Sequence, residues 1–418
     1  MNPPASTRRR AINWTIFFAV LGPGIITAMV DNDAGGISTY SAAGANFGNA
    51  FLWSLIPIML ALILVQEMSN RMGVVTGKGL AALIREKFGV KITFYLVLAL
   101  LVTNFGNVLA EFAGIAASSQ ILGLKASFCV PAGAIFVWLM AVKGSYKTVE
   151  RVFLFACLFY ALYIVTGFLA KPDWGAVARD TAIPTFSFNT AWLAMLVGII
   201  GTTIAPWMQF YQQASVVEKR IPIEQYRYSK YDTIIGGIVV TVVAYFIVVV
   251  CSATLFNNGV QIDTAAQAAE ALAPLTSQYA SILFAIGLLS ASLFAASILP
   301  LSTAYTVCEA LGWEAAVDRK FAEAPQFYLL YTLLILFGAG IAMIPGINLF
   351  SIMLVSQIIN GVLLPIIILF ILLLVNDREI MGEYRNGPIT NTISVIAMIL
   401  VGIAALVMVV FTMIDLFR

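Results

Sequence analysis

Eleven runs of predominantly apolar residues, most of them long enough for a helix to cross the hydrocarbon core of a bilayer, dominate this chain of 418 residues. They cover 12–47, 50–70, 92–122, 127–142, 149–170, 189–217, 233–256, 277–312, 327–344, 349–375 and 390–417. A segment in lipid must satisfy its backbone polar groups internally. The chain is therefore predicted to be an all-α polytopic membrane protein with one transmembrane domain. Composition agrees: 61% of residues are hydrophobic and 11% charged, whereas soluble domains are about half apolar and a quarter charged. The fourth run is short and is expected to be tilted or differently bounded.

Basic residues set the direction of the spans. With the amino terminus inside, 19 of the 23 Lys and Arg fall on the inner side. They cluster at Arg8 to Arg10, in 71–91 and 143–151, in 219–230, at Arg319 and Lys320, and at Arg378 and Arg385. Only Lys125, Lys171, Arg179 and Arg418 fall outside. This asymmetry predicts a cytoplasmic amino terminus and an extracellular carboxyl terminus. The short termini suit a prokaryotic plasma membrane. No cleavable signal peptide is expected, because the apolar run after Arg10 is longer than a signal's core.

Two spans carry helix breakers. The first contains Gly22-Pro23-Gly24 and then Asp31-Asn32-Asp33-Ala34-Gly35-Gly36; the sixth contains Gly201-Thr202-Thr203 and Ala205-Pro206-Trp207. Pro removes a backbone donor and Gly weakens a helix, so both should unwind near mid-membrane. Spans one and six are equivalent if helices 1–5 (12–170) and 6–10 (189–375) form two halves of inverted topology, with 390–417 as an extra helix. Discontinuous helices in matching positions mark the binding site of many secondary transporters.

Most acidic residues fall in loops or at span ends. Three lie at depth: Asp31, Asp33 and Glu111. A carboxylate there costs about 2.5–3.5 kcal/mol on insertion scales and is a functional candidate by default. No Lys or Arg lies deep in any span, so a cation is the natural partner. Asp33 adjoins the break and is the principal candidate ligand. Asp31 lies about 200° away on an intact helix and should face elsewhere unless unwinding redirects it. Asn104, Asn107 and Glu111 form one polar stripe, which either lines a pathway or fastens helices together. Thr202, Thr203, Trp207, Gln209, Tyr211, Gln212, Gln213, Gln357 and Asn360 are further pathway candidates.

Other function classes are excluded. A net charge of +2 lacks the basic footprint of a nucleic-acid binder. The absence of histidine removes an H-E-x-x-H zinc site and a Ser/His/Asp triad, so no enzyme is expected. Cys129, Cys157, Cys251 and Cys308 are too scattered for a zinc site or a disulfide frame. No cofactor is called for, and no obligate protein partner is evident beyond the lipid bilayer.

The chain resembles the natural resistance-associated macrophage protein (Nramp) family of divalent-metal transporters over nearly its whole length. The resemblance rests on Gly22-Pro23-Gly24 with Asp33-Ala34-Gly35-Gly36, Arg71-Met72-Gly73-Val74-Val75-Thr76-Gly77-Lys78, and Leu109-Ala110-Glu111. Tyr231-Asp232-Thr233, Phe284 to Leu289, Ser356-Gln357 with Leu364-Pro365, and Met381 to Asn386 match as well. It implies a LeuT-like fold with a 5+5 inverted repeat. It also implies a metal site at Asp33, Gly36, Ala205 and Gln357, with Asp31, Asn107, Glu111, Thr203, Trp207 and Gln212 as secondary or pathway positions.

The chain departs from the family pattern at telling places. Gly36 stands where the family has an amide ligand, Ala205 where it has a methionine, and Trp207 and Gln212 where it has histidines. Val108 replaces an acidic residue. Thioether ligands favour softer transition metals, while oxygen and water suit Mg²⁺ or Mn²⁺. Mg²⁺ dehydrates reluctantly and often keeps waters beside one or two carboxylates. The pattern is similar to the Nramp-related magnesium transporters and implies a Mg²⁺/Mn²⁺ carrier with an interrupted proton route. A proton-coupled Mn²⁺/Fe²⁺ carrier and a sodium-coupled organic-solute symporter of the same fold are the alternatives.

Overall fold

A computed structural model describes residues 20–143, 161–269, 280–313 and 321–416. Arg8 to Arg10, Lys147, Arg151, Cys157, Arg319, Lys320 and Arg418 lie outside the described residues, as does part of the fifth span. The principal helices are α1 Pro23–Met29, α2 Ala34–Phe47, α3 Leu52–Thr76, α4 Leu80–Phe88 and α5 Val90–Ile121. They continue with α6 Ala126–Lys143, α7 Ala161–Leu169, α8 Trp174–Ala182, α9 Thr190–Thr203 and α10 Pro206–Glu218. The series ends with α11 Tyr226–Thr254, α12 Ala280–Leu311, α13 Pro325–Ala342, α14 Leu349–Val375 and α15 Pro388–Leu416. No strand occurs among the described residues.

Among the described residues, eight helical stretches are long and apolar enough to cross a membrane, α9 and α10 counting together. The first span is divided as well. α1 ends in a 3₁₀ turn, Val30–Asn32, and Asp33 is extended before α2 begins. The sixth span breaks at Ile204 and Ala205, and α10 restarts with Pro206 in its first turn. Pro206 has no N–H, so the carbonyl of Thr202 loses its helical donor. Both breaks fall where the breakers predict them.

The divided helices form the middle of the bundle. In its most apolar window the stretch Thr190–Glu218 is 78% buried, whereas Pro388–Asp415 is only 22% buried. α15 therefore runs along the periphery and offers lipid most of its surface. Small residues let the central helices approach closely. A β-carbon on Gly361 would lie 2.3 Å from the Val197 carbonyl oxygen, and one on Gly201 would lie 2.1 Å from that of Gln357. α9 and α14 thus cross nearly backbone to backbone. α1 meets α11 the same way: a β-carbon on Gly24 would be 2.5 Å from the Thr233 nitrogen.

Side-chain contacts gather three basic loops at one end of the bundle. Arg71 bonds Asn386, Lys87 pairs with Asp377 at 2.6 Å, and Lys219 donates to the Leu21 carbonyl at 2.7 Å.

Candidate functional site

Asp33 is placed by the helix it starts. Its side chain accepts from the Gly36 N–H at 2.7 Å and so caps α2, a role suited to a carboxylate at a helix amino terminus. The Glu111 carboxyl of α5 reaches the same turn and accepts from the Ala34 N–H at 3.3 Å. The second Glu111 oxygen is buried without a partner.

Asp31 joins the same centre. The expectation that it faces elsewhere assumed an intact helix; the tighter 3₁₀ turn and the extended Asp33 redirect it. Its Oδ2 meets the Tyr40 hydroxyl at 3.4 Å, and that hydroxyl lies 2.7 Å from Thr203 Oγ1. One phenol thus bridges the two breaks. Tyr40 was not singled out in the sequence, although it lies seven residues after Asp33 and so shares its helical face. The Thr202 hydroxyl is also buried and unpartnered.

Gly36 has a steric reason to lack a side chain. A β-carbon there would fall 2.1 Å from the Asp31 carbonyl oxygen and 3.2 Å from Thr202 Oγ1. Gly35 gives way to Gln357, whose Nε2 would lie 1.9 Å from an added β-carbon. The Gln357 Oε1 accepts from Asn360 at 3.0 Å, and Asn360 exchanges bonds with Asn107 at 2.9 and 3.1 Å. Asn107 therefore holds Gln357 in place from α5. Asn104 fastens α5 to Thr303 of α12 at 3.0 Å. The polar stripe on α5 does both jobs: it fastens helices at Asn104 and Asn107 and reaches the centre at Glu111.

Ala205 is the amino-terminal cap residue of α10. Trp207 is buried, with its carbonyl accepting from Ser302 at 3.2 Å and its ring near Tyr211. Gln212 points away from the centre, donating to Thr233 of α11 at 3.4 Å. It belongs to a separate amide seam with Gln209 and Asn70. Asp232 also has a defined task. Its carboxylate accepts from Gly22, Gly24 and Ile25 N–H groups at 3.2, 2.6 and 3.3 Å and caps α1.

All the central residues are buried, Asp33 being 4% exposed. No Lys or Arg occurs in α1–α3 before Arg71, in α9 and α10, or in α14. Among the described residues no three Cys, Asp or Glu side chains gather closely enough to hold a metal by themselves. The donors available at the centre are carboxylate, hydroxyl, amide and carbonyl oxygens. Such a set suits a hard cation that keeps some water. A cavity of ≈ 520 Å³ lined by Gln120, Asp263, Thr264 and Asn348 opens where α5 ends and α14 begins, at the end away from the basic loops.

Comparison with known proteins agrees with this architecture. Residues 24–411 match the family model described as natural resistance-associated macrophage protein-like. A relative named divalent metal cation transporter MntH, from Aeromonas hydrophila, is 26% identical over 407 residues, covering 93% of this chain and 95% of that protein. The solved manganese transporter of Eremococcus coleocola superposes with a TM-score of 0.81 at 20% identity, covering 97% of this chain and 88% of that one. MhsT, solved with L-phenylalanine, superposes at 0.60 and 15% identity, covering 93% and 96%. The fold is LeuT-like. The family match spans nearly the whole sequence, and on that ground the chain belongs to the Nramp family, whose members are transporters and not enzymes.

Proposed function

We propose that this protein carries a divalent cation, Mg²⁺ and also Mn²⁺, across the plasma membrane by alternating access. The ion is held partly hydrated and moves as an uncoupled uniport, driven by its own gradient and the membrane potential. Asp33 is the principal ligand, with the Gln357 amide and backbone oxygens around Gly36 and Ala205 completing the site. Glu111 stands beside Asp33. Thr203 and Trp207 flank the second break, while Asn107 supports Gln357. Gln212 lies on the route beyond the centre. The halves 12–170 and 189–375 move relative to each other, with 390–417 outside the repeat. The basic loops face the cytoplasm with the amino terminus, and the carboxyl terminus is extracellular.

One observation carries the reading: two helix breaks meet around oxygen donors alone, with neither thioether nor imidazole in the donor set. Divalent-metal transport is the property named for the MntH relative. The test is Mg²⁺ and Mn²⁺ uptake into proteoliposomes with simultaneous recording of internal pH. Saturable uptake without acidification, abolished by Asp33→Ala, supports it. Uptake that needs an inward proton gradient overturns the uncoupled part.

A second reading, proton-coupled Mn²⁺/Fe²⁺ carriage, is favoured by the placing of Glu111 on the Ala34 N–H, next to Asp33. Paired carboxyl groups can relay protons, and the same recording separates the two.

A further inference from the structure

Asp31 is the least satisfied acid at the centre. An ionised carboxylate offers about four acceptor positions. The Oδ1 of Asp31 is buried with no partner, and the residue is 2% exposed. Its Oδ2 has one polar neighbour, the Tyr40 hydroxyl at 3.4 Å. Tyr40 donates to that oxygen, and its own oxygen lies 2.7 Å from Thr203 Oγ1, so one long hydrogen bond is all the carboxylate receives. An ionised carboxylate this short of donors is stabilised by a cation beside it.

The surroundings point the same way. The Thr202 hydroxyl lies beside the same turn, buried and unpartnered. No basic side chain occurs in α1, α2, α9, α10 or α14 to answer the charge. A buried charge without a partner is costly. Asp31 and Asp33 supply two carboxylates, the charge of one divalent cation, and Glu111 stands beside them as a third acid.

We infer that Asp31 is a second carboxylate for the transported cation, held in register by Tyr40, and that the pair sets the preference for divalent over monovalent ions. This inference rests on the cation-transport reading above and adds to it a charge-matching residue outside the Asp33 motif. Tyr40 is a positioning residue: it ties the unwound turn of the first break to Thr203 at the second.

The test uses the full-length protein in proteoliposomes, with Mg²⁺ and Mn²⁺ uptake measured at increasing external Na⁺. Asp31→Asn is expected to raise the half-saturating concentration of both divalent ions by about tenfold or more and to make uptake sensitive to Na⁺ competition. Asp31→Glu, which keeps the charge, is expected to retain resistance to Na⁺. Tyr40→Phe is expected to weaken half-saturation by a smaller factor with Na⁺ resistance kept. Unchanged half-saturation and Na⁺ resistance in Asp31→Asn would overturn the inference. Equal loss in Asp31→Asn and Asp31→Glu, without Na⁺ sensitivity in either, would overturn it too, since the residue would then only shape the turn. If the unsubstituted protein takes up neither divalent ion, the transport reading itself fails, and this inference with it.

Discussion

Replacing Asp232 with alanine should unfasten α1 without touching the centre of the bundle. The carboxylate supplies acceptors to three amides at the start of that helix, at 2.6, 3.2 and 3.3 Å. A hydrogen bond to a charged group contributes about 1.5–3 kcal/mol, which fits the short bond to Gly24. The two longer bonds together add about 1 kcal/mol. The local loss is then about 2.5–4 kcal/mol. Opening governs hydrogen exchange in the native state, and each 1.4 kcal/mol is about a factor of ten. The Gly24 and Ile25 amides should therefore exchange roughly 60- to 700-fold faster. Amides in α14 should keep their rates. Asp232→Asn retains one acceptor oxygen and should recover part of the protection. The assay is hydrogen–deuterium exchange on the purified protein in detergent, read on peptides covering 20–29. Unaltered protection there in Asp232→Ala would refute the capping argument.

Other substitutions test the centre and its supports. Gly35→Ala puts a β-carbon 1.9 Å from the Gln357 amide nitrogen; divalent-ion uptake should fall at least about tenfold while the melting temperature moves only a few degrees, since a side chain can yield. Gly361→Leu meets the Val197 carbonyl at 2.3 Å, and backbone cannot yield cheaply. That variant should fail to elute as a single species, whereas Gly387→Ala, with nothing within 4 Å, should behave as the parent. Asn107→Ala and Asn360→Ala each orphan a buried amide and should cost about 1–3 kcal/mol apiece in thermal unfolding. The double variant should cost less than their sum by about 0.5–3 kcal/mol, and strict additivity would deny the pairing.

The parts of the fold written locally were legible in the sequence. Apolar length marks the spans, and the run Asp31 to Gly36 and Ala205-Pro206 act on their own backbone, so the two broken helices follow from the chain itself. What depends on a distant partner was not legible. Asp232 looked like one more charge at a span end, yet it caps a helix 210 residues earlier in the chain. Tyr40 matters through Thr203, 163 residues away. Gln212 follows the centre closely in sequence but turns to α11. Asp31 defeated the helical wheel because that geometry presumes the very helix which its neighbours unwind.

Gly36 shows how the two kinds of information combine. The motif shows only that the family's amide ligand is gone, which taken alone describes a site with less coordination and more room. The structure adds that the space is not vacant: the Asp31 carbonyl occupies the position of the missing β-carbon, with the Thr202 hydroxyl beside it. Gly36 thus leaves room for the unwound turn, and in that turn the Asp31 carboxylate meets Tyr40. A glycine at 36 is then the condition for an acid at 31 to face the centre, and neither residue can be interpreted without the other.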